Sequence, residues 1–105
     1  MAQREAVRYS IEGRVAHVTL DRPPLHILDI PTIQEYSNAL GRVERDQAVA
    51  CILDATGEKA FSAGVDIKDH TADKVEEMIH VFHGLFRLLI AIEPPTVAVV
   101  HGAAL

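Results

Sequence analysis

Near the start of the chain Val7, Tyr9 and Ile11 alternate with Arg8, Ser10 and Glu12, the period of a strand with one face buried. Glu12-Gly13-Arg14 supplies a turn, and Val15, His17, Val18, Thr19 and Leu20 read as the returning strand of a hairpin. Asp21-Arg22-Pro23-Pro24 ends that strand, because each proline removes a ladder donor. Asp29-Ile30-Pro31 has the form of a helix start, with Asp29 as cap and Pro31 near the first helical position. From there Ile33, Tyr36, Leu40 and Val43 recur at helical spacing, with Gln34, Glu35, Asn38, Arg42 and Glu44 on the other side. The spacing predicts a helix over about 31–46.

Val49 to Leu53 is a continuous apolar run with β-branched residues, the pattern of a parallel strand covered on both faces. After a turn at Gly57, Phe61-Ser62-Ala63-Gly64-Val65-Asp66 reads as a loop of small residues flanked by large ones. Thr71 is a candidate cap for a second helix, whose apolar positions Val75, Met78, Ile79, Phe82, Leu85, Phe86, Leu89 and Ile92 keep helical spacing to about residue 92. Glu93-Pro94-Pro95 ends it. Thr96 to Val100 is a short apolar strand, and His101-Gly102-Ala103-Ala104-Leu105 begins a turn of small residues. The expected order is ββαβαβ, an α/β class with right-handed crossovers between the parallel strands. The last two apolar strands call for neighbours on both sides, so the chain is expected either to belong to a longer one or to bury these edges against copies of itself.

Composition narrows the function classes. A chain of 105 residues, 49% hydrophobic and 24% charged, is ordinary folded material for one domain. Its net charge of −5 argues against nucleic acid or an anionic membrane as the main partner. The N-terminal Met1-Ala2-Gln3-Arg4-Glu5 carries no apolar signal core, and no apolar stretch approaches the roughly 20 residues of a membrane span. A cytoplasmic location is the expectation. Cys51, the single cysteine, lies in an apolar run and reads as a small buried hydrophobe.

Four segments together carry a resemblance. Leu20-Asp21-Arg22-Pro23, Ile52-Leu53-Asp54-Ala55-Thr56-Gly57, Lys59-Ala60-Phe61-Ser62-Ala63-Gly64-Val65-Asp66-Ile67 and Pro94-Pro95-Thr96-Val97-Ala98-Val99-Val100-His101-Gly102-Ala103-Ala104-Leu105 resemble the crotonase (enoyl-CoA hydratase) superfamily in order and spacing. Each is weak alone; F-S-A-G-x-D followed by P-x-x-A-x-V-x-G-x-A-L is specific. The resemblance implies that residues 1–105 are the N-terminal part of a crotonase-like domain, a truncated ββα spiral fold. It also implies an acyl-CoA thioester as partner, CoA being part of the substrate and not a separate cofactor, and a trimer or hexamer as assembly.

Chemistry at Cα or Cβ of an acyl-CoA passes through an enolate-like thioester, so donors must await the charge on its oxygen. Small residues near Gly64 would let a ligand approach the main chain, although Ala63-Gly64 read alone is more simply a tight turn leading to the next helix. The resemblance assigns one oxyanion donor to the backbone N–H of Val65. It suggests Leu25, Ala63, Gly64, Asp66 and Ile67 as the wall for CoA, with Arg22 a candidate for a phosphate or simply a solvated or capping arginine. His26-Ile27-Leu28 stands where the family usually has N-A-L, which puts the pantetheine contacts in question. The family's second donor belongs to a glycine run that would begin just past Ala104-Leu105, with the water-handling glutamates beyond it. Residues 1–105 thus hold half an anion hole and are expected to be inactive alone. A rival reading makes them a non-catalytic piece that assembles through an unfinished sheet.

Six histidines raise the question of a metal. His80 and His83 share a helix face, but no third ligand accompanies them at metal-site spacing, and no metal is expected. Asp66, Asp69 and His70 could in principle do acid–base work; the plainer reading has Asp66 bracing the loop and Asp69 solvated before the helix. V-D-I-K-D-H, then D-K-V-E-E-M-I and H-G-L-F, resemble the cyclic dienoyl-CoA (cyclohexa-1,5-diene-1-carbonyl-CoA) hydratases, one subgroup of the superfamily. Isomerase and hydrolase chemistry would share the same enolate.

Overall fold

A computed structural model describes residues 6–105; the polar N-terminal lead Met1 to Glu5 lies outside them. The expected hairpin forms between β1 (Val7–Glu12) and β2 (Val15–Leu20), paired antiparallel from Val7–Leu20 to Glu12–Val15. Helix α1 (Ile30–Arg45) starts where the sequence indicated, with the Asp29 carboxylate accepting from Thr32 N–H. It carries the chain to β3 (Ala50–Ala55), which pairs parallel with β2. Helix α2 (Val75–Ala91) leads to β5 (Thr96–Ala98), parallel to β3. The main sheet therefore runs β1-β2-β3-β5.

The core forms where α1 lies on one face of this sheet. Ala16, Val18 and Leu20 of β2 and Cys51 and Leu53 of β3 meet Ile33, Leu40 and Val43 of α1 and Leu85 of α2. Cys51 is fully buried and free, and burial pushes its thiol up.

Four expectations need correction. β3 is fully buried on one face only: the helices cover the Cys51–Leu53 side, while the other side carries Ile52 and an Asp54 carboxylate that accepts from Thr19 Oγ1. Thr71 does not cap α2. Its hydroxyl donates to Asp73, and its carbonyl accepts from Lys74 and Val75 N–H, so a turn precedes the helix. The regular part of the last apolar strand stops at Ala98, although Val99 N–H still donates to Leu53 O at 2.8 Å. The supposed loop at Phe61 and turn at Ala103 contain two short strands, β4 (Ala60–Ser62) and β6 (Ala103–Ala104), paired parallel in a second small sheet. Gly102 makes that pairing possible. At φ +62° it lies so near Lys59 that an added Cβ would sit 2.3 Å from the Lys59 carbonyl oxygen.

Candidate functional site

The segment after β4 is held main chain to main chain by the turn between β2 and α1. Ala63 N–H donates to Leu25 O at 2.9 Å, Leu28 N–H to Gly64 O at 2.9 Å, and Asp66 N–H to Leu28 O at 3.0 Å. Leu28 and Val65 thus form a parallel bridge in which both hydrogen bonds belong to Leu28. In such a bridge the opposing residue's own N–H and C=O point to the other side. The Val65 N–H accordingly faces away from Leu28 and makes no hydrogen bond among the described residues.

Gly64 has φ +95°, a conformation that suits glycine. It also lies against the end of β6, since an added Cβ would meet Leu105 O at 3.4 Å. Leu105 N–H donates to Ser62 O at 3.0 Å. The Ala103-Ala104-Leu105 stretch, distant in sequence, is therefore brought beside Gly64 and Val65.

The other candidates sort by what their side chains do. Leu25 is partly exposed at 40% and its carbonyl accepts from Ala63 N–H, so these two adjoin; Ile67, at 83%, projects into solvent. The Asp66 carboxylate accepts from Lys68 N–H and caps the short 3-10 turn Ile67–Asp69, the bracing role anticipated for it. Asp69 is not solvated: it is buried and accepts from Ile30 N–H at 3.1 Å, tying that turn to the first residue of α1. His70 is exposed with Nδ1 at 3.2 Å from Asp66 O. Arg22 donates to Ile27 O at 2.7 Å and pairs with Asp29 at 3.3 Å, which makes it a brace of the turn.

A residue that the sequence reading left unassigned lies at the centre of this turn. His26 is fully buried at φ +50°. Arg22 N–H donates to its Nδ1 at 3.0 Å, and its Nε2 lies 2.6 Å from Thr56 O. Only its place in the usual N-A-L position hinted at a structural task.

An apolar cavity of about 200 Å³ adjoins the site, between Leu28, Phe61 and Leu105 on one side and Phe82 and Phe86 of α2 on the other. A shallower hollow of about 210 Å³ borders Arg22 to Ile27. A larger polar cleft, about 580 Å³, runs between β1 and α1 and includes none of the candidates. His80 and His83 are exposed, and among the described residues no three His, Cys, Asp or Glu side chains gather as metal ligands. Among the described residues no helix is long and apolar enough to cross a membrane.

Comparison with known proteins agrees with the fold. The family model for enoyl-CoA hydratase/isomerase matches residues 10–105. The short-chain-enoyl-CoA hydratase of Clostridium acetobutylicum is 38% identical over 99 residues, which are 90% of this chain and 38% of that protein. The cyclohexa-1,5-dienecarbonyl-CoA hydratase of Thauera aromatica is 30% identical over 95 residues, 90% of this chain and 36% of that one. Among solved structures, an enoyl-CoA hydratase/carnithine racemase from Magnetospirillum magneticum superposes with a TM-score of 0.85 at 25% identity, over 95% of this chain and 40% of that one. The chain thus spans well under half the length of these relatives.

Proposed function

Because this chain belongs to the enoyl-CoA hydratase/isomerase family, we propose that the protein hydrates an α,β-unsaturated acyl-CoA thioester, with the Val65 N–H as one donor to the thioester oxygen. The observation that carries the reading is the Val65–Leu28 bridge, which directs an unused N–H away from the turn. When water adds at Cβ, the π electrons move onto the thioester oxygen, and a donor fixed beforehand stabilises that charge without reorganising. The proton then goes to Cα. Neither Asp66 nor Asp69 supports an acid–base role, since each carboxylate is committed to a backbone N–H of its own fold. The greater identity to the short-chain hydratase favours a linear substrate ahead of a cyclic dienoyl one.

Val65→Pro in the full-length protein tests the donor. Proline is tolerated where an N–H is outside the ladder, so both Leu28 hydrogen bonds persist while the candidate donor disappears. Turnover of crotonyl-CoA should fall about 100- to 1000-fold, and Val65→Ala should stay near wild type. A folded Val65→Pro protein with normal turnover removes Val65 from the site.

A second reading, in which residues 1–105 alone act as a non-catalytic assembling piece, draws on Val97, Val99, Val100 and Leu105, all more than half exposed. Hydration by a monomer of these 105 residues would exclude it.

A further inference from the structure

The geometry points to His26 as a positioning residue for the Ala63–Asp66 segment, and hence, on the reading of Val65 given above, for the oxyanion donor. A backbone N–H can only donate and a carbonyl can only accept. Arg22 N–H on Nδ1 and Thr56 O against Nε2 therefore place the ring hydrogen on Nε2. One side chain so joins the start of the turn to the residue that follows β3.

The main chain of His26 makes the third link. Its carbonyl accepts from Ser62 Oγ at 2.8 Å, and the same Ser62 oxygen accepts from Gly64 N–H at 3.1 Å. Gly64 precedes Val65, and Leu28, two residues after His26, bridges Val65. Ring, carbonyl and Ser62 hydroxyl therefore form one polar connection from Thr56 to the Ala63–Gly64 peptide, the one just before the peptide that carries the Val65 N–H. His26 adopts φ +50°, where residues other than glycine are uncommon. Complete burial together with two satisfied ring nitrogens accounts for that conformation being kept.

Phenylalanine matches the ring in size but takes the ring partner from the part-buried Arg22 N–H and Thr56 C=O, which is costly. Asparagine accepts left-handed backbone and places Oδ1 near the former Nδ1, so it keeps the Arg22 link and loses the Thr56 link.

The test uses the full-length protein, steady-state turnover of crotonyl-CoA, and amide hydrogen exchange. In His26→Phe, kcat should fall about 10- to 100-fold, as expected when a reacting geometry is displaced by about 1 Å, with a much smaller change in KM. Amide protons of Leu28, Ala63 and Asp66 should exchange faster while those of β2 and β3 do not. His26→Asn should show the same changes to a lesser degree. A folded His26→Phe with wild-type kcat and unchanged exchange at these three amides overturns the proposal, as does loss of stability with kcat per folded molecule intact. If His26→Phe fails to fold, His26→Asn decides: unchanged exchange and unchanged kcat overturn it. Should the wild type not hydrate crotonyl-CoA, or Val65→Pro remain active, the functional reading fails, and exchange at Leu28, Ala63 and Asp66 still decides whether His26 holds the segment.

Discussion

The strands β3 and β5 are neighbours in one sheet and nearly equal in apolar content, yet they end in opposite environments. Cys51 and Leu53 of β3 are buried at 0% and 8% exposure, whereas Val97 of β5 and Val99 just beyond it stand at 57% and 51%. β3 lies between β2 and β5 and contributes Cys51 and Leu53 to the core shared with α1; β5 occupies the edge, and α2 packs against α1. Two histidine rings repeat the contrast. Both nitrogens of His26 have partners, while Nε2 of His101, after β5, is buried with none among the described residues. Apolar sequence states a demand for burial; position in the sheet decides whether these residues meet it.

The largest expected effect separates the two strands' surroundings. Leu40, fully buried under β2 and β3, should cost about 2–5 kcal/mol when changed to Ala. Val97→Ala should stay within about 0.5 kcal/mol. Urea unfolding of residues 1–105 measures both. Equal costs would mean that β5 is covered, and light scattering on the same samples would reveal whether another copy covers it.

Much of the fold was legible beforehand, although this contrast was not. The strand at Val7–Glu12, the helical spacing of Ile33, Tyr36, Leu40 and Val43, and the Asp29 cap all matched, because each rests on a local period or a single side chain, although of the alternating residues Val7 and Tyr9 pack on the core while Ile11 is exposed. β4 and β6 were not legible, since two or three residues carry no period and their pairing joins distant segments. Within the candidate site, the small residues around Gly64 were visible; the mutual hold of Leu25–Leu28 and Ala63–Asp66 was not, because it consists of backbone hydrogen bonds with no side-chain signature. Asp69 was misjudged, and His26 left unassigned, for a related reason: polar residues in loops are usually exposed, and these two are buried by partners that only the fold supplies.

A smaller effect tests whether the packed region depends on its first turn. Asp29 Oδ1 accepts from Thr32 N–H, and from the hydroxyl of a fully buried Thr32. Asp29→Ala removes the cap together with the bond from the Thr32 hydroxyl, for an expected loss of about 2 kcal/mol, the upper end for caps. Asp29→Asn should recover most of it. A loss below about 0.5 kcal/mol in thermal melts would show that α1 is held by its apolar face alone.

The smallest effect concerns the polar rim of the same region and depends on pH. The Asp21 carboxylate accepts from Arg8 Nε of β1 and from Thr56 Oγ1 beyond β3, so it fastens β1 and the segment after β3 to the end of β2. Its pKa lies below the ordinary carboxylate value, chiefly through the Arg8 hydrogen bond and next through Thr56. A native carboxyl with a lowered pKa binds fewer protons than the unfolded chain, so its stabilisation is present above the unfolded value near about 3.9. It disappears as pH falls through the native value. Arg8 is 70% exposed, so solvent and salt screen the pair, and the contribution should not exceed about 1 kcal/mol. Asp21→Asn should therefore lower stability slightly at pH 7, less so in high salt, and match the wild type once acid has protonated Asp21. A difference that persists undiminished in acid would show that the rim is held by hydrogen-bond geometry that asparagine cannot supply, and charge would have no part in it.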